Sequence, residues 1–177
     1  MKRSYKAILV TLLSVALIAP LAACSDETST RKFLTALDDA EQVSLSVKQF
    51  AEQLALARKM APAKARVIVE KTDQLDSAVE QIVLEAKKYL EPVLDGDGNP
   101  VIRDGKPVRV VRFSANGKAE VERLVYSVSG IANGLIDDPA FADLTAAERE
   151  NWKNISGNLA RVIAQSLQLV KKIKPVK

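Results

Sequence analysis

Four stripes of apolar residues, each repeating at alternating intervals of three and four, constrain this chain more than any other feature. The first runs through Phe33, Ala36, Leu37, Ala40, Val43, Val47, Phe50, Leu54 and Ala57, and the second through Ala65, Ile68, Thr72, Leu75, Val79, Ile82, Ala86 and Tyr89. A third takes in Val121, Leu124, Val125, Val128, Ile131 and Leu135. The fourth comprises Trp152, Ile155, Leu159, Val162, Ile163, Ser166, Leu169, Val170 and Ile173. Residues three and four apart share one face of an α-helix, so each stripe predicts an amphipathic helix with one side to bury. Four such helices joined by short connections predict an all-α fold, an antiparallel four-helix bundle.

The segments between the stripes set the connections. Met60-Ala61-Pro62-Ala63 separates the first two; proline suits a first helical turn and disfavours a helical residue before it, which predicts a tight corner. A single long helix kinked at Pro62 competes with that reading, because no glycine marks the corner. Residues 92–113 change character: Asp97-Gly98-Asn99-Pro100-Val101-Ile102-Arg103 is echoed by Asp104-Gly105-Lys106-Pro107-Val108-Arg109-Val110. Asp-Gly turns followed by β-branched residues predict a small β-hairpin between helices two and three. Val108, Val110 and Phe113 should pack it on the bundle. Asp137-Asp138-Pro139 ends the third helix, and Thr145-Ala146-Ala147-Glu148 has the pattern of a capping box opening the fourth. Lys171 and Lys172 suit that helix's C-terminal end, and Pro175 stops it.

The start of the chain reads differently. Lys2, Arg3 and Lys6 precede an uncharged apolar run, Ala7–Ala19, then Pro20 and the small residues Leu21-Ala22-Ala23 before Cys24, the only cysteine. A basic start, a short apolar run and a small-residue cleavage site describe a secretory leader over residues 1–23. The run is too short for a comfortable membrane span. Leu21-Ala22-Ala23-Cys24 resembles the lipobox of bacterial lipoprotein precursors. That resemblance implies cleavage before Cys24, acylation of its thiol, and a chain held to a membrane by those acyl chains. Ser25, where aspartate is the familiar inner-membrane retention signal, favours the outer membrane facing the periplasm. Residues 24–30 then form the acylated N-terminus and a tether, and residues 31–177 the bundle.

Without the leader, the chain keeps 23 of its 26 basic residues against 22 acidic ones, so the apparent basicity largely disappears. Nucleic-acid binding, which needs clustered positive charge, loses its support. There is no histidine, which removes the commonest general base and the His-ligated metals. With Cys24 acylated, no thiol remains for catalysis or metal binding. Asp95-Gly96-Asp97-Gly98-Asn99 imitates the start of a calcium loop, but Pro100 stands where glycine is needed and Lys106 where the bidentate glutamate should be. Asp38-Asp39 and Asp137-Asp138 read as solvated or capping pairs, and Trp152 as core. No enzyme activity, metal or cofactor is expected.

These features predict a non-catalytic envelope lipoprotein, a structural or protein-interaction module with an envelope protein as partner. Its recognition surface would be the hairpin, with Arg103, Lys106, Arg109 and Arg112 as a basic face. In an antiparallel bundle the hairpin and the basic tail (Lys171–Lys177) return to the anchored end, within reach of anionic headgroups. Two alternatives are a small-ligand carrier with a pocket beside Trp152 and Tyr126, and a phage- or plasmid-encoded protection lipoprotein.

Overall fold

The computed structural model describes the backbone of residues 21–176 and the side chains of residues 27–176. The side chains of the expected leader and of Cys24 lie outside that range. The fold is mainly α. Helices α1 (Leu21–Leu56), α2 (Pro62–Lys87), α3 (Ala115–Ile136) and α4 (Ala146–Lys172) carry the core, and the short strands β1 (Leu90–Pro92), β2 (Ile102–Arg103), β3 (Lys106–Pro107) and β4 (Arg109–Val111) lie between α2 and α3. Each helix packs against two others: α1 on α2 and α4, and α3 on the same two.

Residues 24–30, expected as a tether distinct from the bundle, belong to α1. Nothing between Leu21 and Leu56 breaks a helix, since that stretch contains neither proline nor glycine. Its register is fixed by burial at Thr30, Phe33, Leu37, Ala40, Ser44, Val47, Ala51 and Leu54, an unbroken alternation of threes and fours. Helix α2 continues the alternation through Ala65, Ile68, Thr72, Leu75, Val79, Ile82 and Ala86, as its stripe predicts. Helix α4 follows with Trp152, Ser156, Leu159, Ile163, Ser166, Val170 and Ile173. A strict seven-residue repeat of this kind is the pattern of knobs-into-holes packing.

The seam includes small and hydroxylated residues that an apolar count passes over. Ser44, Ala51, Ala132 and Ser156 are buried, whereas Val43 and Ile131 sit half-buried at its margin. Three of the buried hydroxyls bond along their own helices: Thr72 donates to the Ile68 and Val69 carbonyls, Ser156 to Trp152, and Ser166 to Val162, whereas the Ser44 hydroxyl has no partner among the described residues. Such back-bonding lets a polar side chain occupy an interior position without an orphaned donor.

The corner at residues 57–61 is a turn between two helices, not a kink. Arg58 takes φ 57°, with its N–H donating to Ala55 and that of Lys59 to Leu54. These two bonds make a Schellman motif in which arginine occupies the left-handed position usually given to glycine. Pro62 then opens α2 at its first position, and Met60 is buried beneath the turn. At the other junctions, Ser114 caps α3 by accepting from the Gly117 N–H, and Thr145 and Glu148 form the expected capping box.

Trp152 anchors the core at the end that holds this corner. Its indole stacks on Phe141 at 3.6 Å between centroids and lies 6.2 Å from Phe50. Its N–H donates to the carbonyls of Leu135 and Ile136, satisfying the end of α3. Ion pairs ring the same end: Lys59 with Glu148, Lys64 with Asp143, and Lys71 with the buried Asp138. Asp138 also caps the short 3-10 turn Pro139–Phe141 by accepting from Ala140, the capping role its sequence context suggests. No helix among the described residues is long and apolar enough to cross a membrane.

Candidate interaction surface

The insertion between α2 and α3 is more ordered than one hairpin. Strand β1 pairs antiparallel with β4, aligning Pro92 with Arg109. Strand β2 pairs with β3, aligning Ile102 with Pro107, and an isolated bridge aligns Leu94 with Pro100. Three arms therefore meet at one point, where three valines close a ring of backbone hydrogen bonds. Val93 donates to the Val108 carbonyl, Val101 to that of Val93, and Val108 to that of Val101, each at 2.8 Å.

The ring explains the sequence echo and extends it. Each valine follows a proline: Pro92-Val93, Pro100-Val101 and Pro107-Val108. Each proline faces the residue that follows another copy's valine, so the insertion is a three-fold pseudo-repeat. Two copies stand out because each is preceded by a turn glycine; Pro92-Val93 follows a helix and is masked by its context. The signal available in the sequence was Pro-Val occurring three times within residues 92–108, a fourth pair, Pro175-Val176, lying outside the insertion.

Turn chemistry closes the two outer arms. Asp104 and Gly105 both have positive φ, 52° and 72°, the type I′ combination that matches strand twist. In the other arm the Asp95 carboxylate accepts from the N–H groups of Asp97 and Asn99, and Gly98 takes φ 83°. Asp95 thus serves the turn that the calcium-like stretch was expected to form. Among the described residues, no group of three or more acidic or cysteine side chains is arranged to hold a metal ion.

The stem of the insertion is fixed to the first described turns of α1. The Thr30 hydroxyl accepts from the buried Val111 N–H at 2.9 Å, and Glu27 pairs with Arg103. Val110, Val111 and Phe113 are buried, with Val108 half-buried, and the Tyr89 ring meets Phe113 edge-on at 5.4 Å. Gly117 makes room for that ring: a Cβ there would lie 2.7 Å from Tyr89 Cε1 and closer still to Cζ. The chain's C-terminal segment joins the same assembly, since the Val176 N–H donates to the Phe113 carbonyl. Lys118 crowns the end of α4 by donating to the carbonyls of Lys171 and Ile173. The basic tail is thereby held, up to Val176, against the base of the insertion.

The four expected basic residues are not equivalent. Arg103 is committed to Glu27, and Arg112 lies half-buried 3.8 Å from Glu91. Lys106 and Arg109 are exposed and form no ion pair among the described residues. At the bases of the two outer arms, next to the ring, Leu94 and Ile102 are 53% and 59% exposed. Sequence reasoning passed over these two apolar side chains. A cleft of about 500 Å³ separates the insertion from α1, lined by Thr30, Arg31, Leu34, Lys106, Val108 and Arg109.

A second groove, about 600 Å³, runs between α1 and α4 near the same end. Ala36, Ala164 and Leu169 form its apolar floor, and Arg31, Lys32, Arg161 and Lys172 its rim, with Asp39 the one acid. The opposite flank of α1 is acidic: burial, then Asp38, Asp76 and Glu80, push the Glu41 carboxyl above its ordinary range. Trp152 and Tyr126 do not share a cavity. Trp152 is 1% exposed in the core, whereas Tyr126 is 53% exposed and lies under Lys171, whose ammonium is 5.4 Å from the ring centre. A hydrogen bond to Tyr126 raises the Lys171 pKa.

No protein-family model matches the chain, and no curated protein or solved structure matches it.

Proposed function

We propose that this chain is a non-catalytic lipoprotein of a bacterial envelope. Acyl chains on Cys24 anchor it, residues 1–23 are its removed leader, and its outer-membrane site faces the periplasm. The four helices form an antiparallel up-down bundle. Several pairings support that topology: Lys48 of α1 with Asp73 and Asp76 of α2, Lys118 of α3 with the carbonyl end of α4, and Phe50 of α1 with Trp152 of α4. The bundle is a rigid stand for the three-armed insertion, which recognises another envelope protein.

The observation that carries the recognition role is the pair of exposed apolar side chains Leu94 and Ile102, next to the valine ring, on the same insertion as the uncommitted cations Lys106 and Arg109. Apolar side chains displayed on a tightly hydrogen-bonded frame are what a partner buries, with flanking charge setting orientation. The acidic counterpart of Lys106 and Arg109 belongs to the partner.

Two measurements test the reading. Crosslinking in the native envelope should lose its principal product in a Leu94→Asp/Ile102→Asp variant, and equal recovery of every product would refute recognition by these side chains. Cys24→Ser should abolish incorporation of labelled palmitate and leave an uncleaved precursor. Normal processing of that variant, with retention in the envelope, would overturn the anchor.

A further inference from the structure

We propose that the domain leans on the membrane that anchors it, seating anionic phospholipid headgroups in the groove between α1 and α4. The inference rests on the lipoprotein reading for the position of the anchor and on the structure for the surface. Both ends of the molecule carry paired and unpaired cations, Arg58, Arg149 and Lys153 being without an ion pair at the corner end among the described residues. Around the corner of α1 and α2, Lys59, Lys64 and Lys71 are each matched by a carboxylate. At the groove, Arg31, Lys32, Arg161 and Lys172 are all exposed and form no ion pair among the described residues. They surround an apolar floor, the arrangement that fits a phosphodiester headgroup above the start of its acyl chains.

Distance decides the tilt. Arg31 lies seven residues beyond Cys24 on one unbroken helix, about 10 Å at 1.5 Å per residue. Asp39 and Arg161 lie at the groove's far end, about 22 Å from Cys24 by the same rise, beyond the roughly 8 Å over which surface charge acts at physiological salt. An upright domain would leave most of the groove unused. Leaning towards the α1–α4 side brings it down and lifts away the acidic flank of Glu41, Asp76 and Glu80, so attraction and repulsion favour the same tilt.

The test uses the full chain purified from producer membranes in detergent and reconstituted into phosphatidylcholine vesicles with or without phosphatidylglycerol. A fluorophore is placed on Gln165→Cys in the groove or on Gln81→Cys of α2, and quenching by a headgroup nitroxide lipid is read. Both glutamines are exposed. Quenching at residue 165 should exceed that at residue 81 in anionic vesicles, and the two should converge in neutral ones. Neutralising one groove cation should lower the docked-to-free ratio about fivefold. Arg31→Gln/Lys172→Gln should therefore erase the difference. Equal quenching at the two positions in anionic vesicles, or a difference that ignores lipid charge and the double variant, would overturn the proposal. Flotation with neutral vesicles reads the anchor separately. A chain that floats with both lipids yet quenches equally keeps its anchor and loses its docking surface. One that floats only with anionic lipid, through residue 165, loses the anchor and keeps the surface.

Discussion

Gly117→Ala is a sharp test of the packing at the base of the insertion, because helix propensity and sterics give it opposite signs. In a helix interior, alanine is favoured over glycine by about 1 kcal/mol, and Gly117 lies in the first turn of α3. A methyl group there would penetrate the ring of Tyr89, reaching 2.7 Å from Cε1 and less from Cζ. Tyr89 has little freedom to yield, since its ring is held edge-on against the fully buried Phe113. Overpacking of this sort costs about 1–3 kcal/mol, so the net effect should be a loss of up to about 2 kcal/mol. In a domain of this size that lowers the melting temperature by up to roughly 8 °C. Urea denaturation of a soluble fragment spanning residues 27–177, followed by circular dichroism, measures it. Gly134→Ala, where a Cβ meets nothing within 4 Å, should stabilise by about 0.5–1 kcal/mol. In a Tyr89→Ala background, Gly117→Ala should turn stabilising as well. If Gly117→Ala stabilises the parent, or its penalty survives removal of the Tyr89 ring, the steric argument is wrong.

Arg58→Gly should stabilise the domain by about 1 kcal/mol, since it relieves a left-handed arginine at the corner of α1 and α2; a loss in urea midpoint would refute this. Glu148, held at about 2 by hydrogen bonds to Lys59 and Thr145, should contribute stability that is complete above its ordinary value of 4.5 and lost as pH falls towards 2. Glu148→Gln should therefore be less stable at neutral pH and show a shallower acid limb in thermal melts, whereas an unchanged limb would refute that. Trp152→Phe keeps the ring stack but leaves the Leu135 and Ile136 carbonyls without their indole donor, and should cost about 1–3 kcal/mol in urea melts.

Much of the helical architecture was legible in the sequence because burial there follows apolar character. Helix α2 is the clearest case, every buried position having been read from spacing alone. Helix α1 was read less well, with Val43 standing in for Ser44 and Ala51 passed over. At those positions the seam needs small volume more than hydrophobicity, and the repeat of seven is a better guide than apolarity. The start of α1 was misjudged for a related reason: Ser25–Thr30 is polar, which suggested a tether, yet Thr30 is a buried acceptor for Val111 and Glu27 a partner for Arg103. Those contacts come from chain some 80 residues away, beyond the reach of local composition. Of the candidate surface, the basic residues were legible, but which of them are committed to carboxylates was not.

The prolines of the insertion bear on how it meets a partner. Each aligned pair containing one (Pro92 with Arg109, Pro100 with Leu94, Pro107 with Ile102) lies next to the ring's hydrogen bonds and exchanges none itself. In an antiparallel ladder such a residue turns its nitrogen outward, away from its partner strand. Proline there removes a donor that would otherwise face solvent on each arm, while the valine after it keeps the donor the ring requires. Short edges without outward donors resist pairing with a strand from another chain. Strand addition is therefore disfavoured along the proline-bearing edge of each arm, whereas Arg109, Leu94 and Ile102 keep an N–H on the opposite edge. On the proline-bearing edges side chains are what remains to be read, and the exposed ones of the insertion include Leu94, Ile102, Lys106 and Arg109.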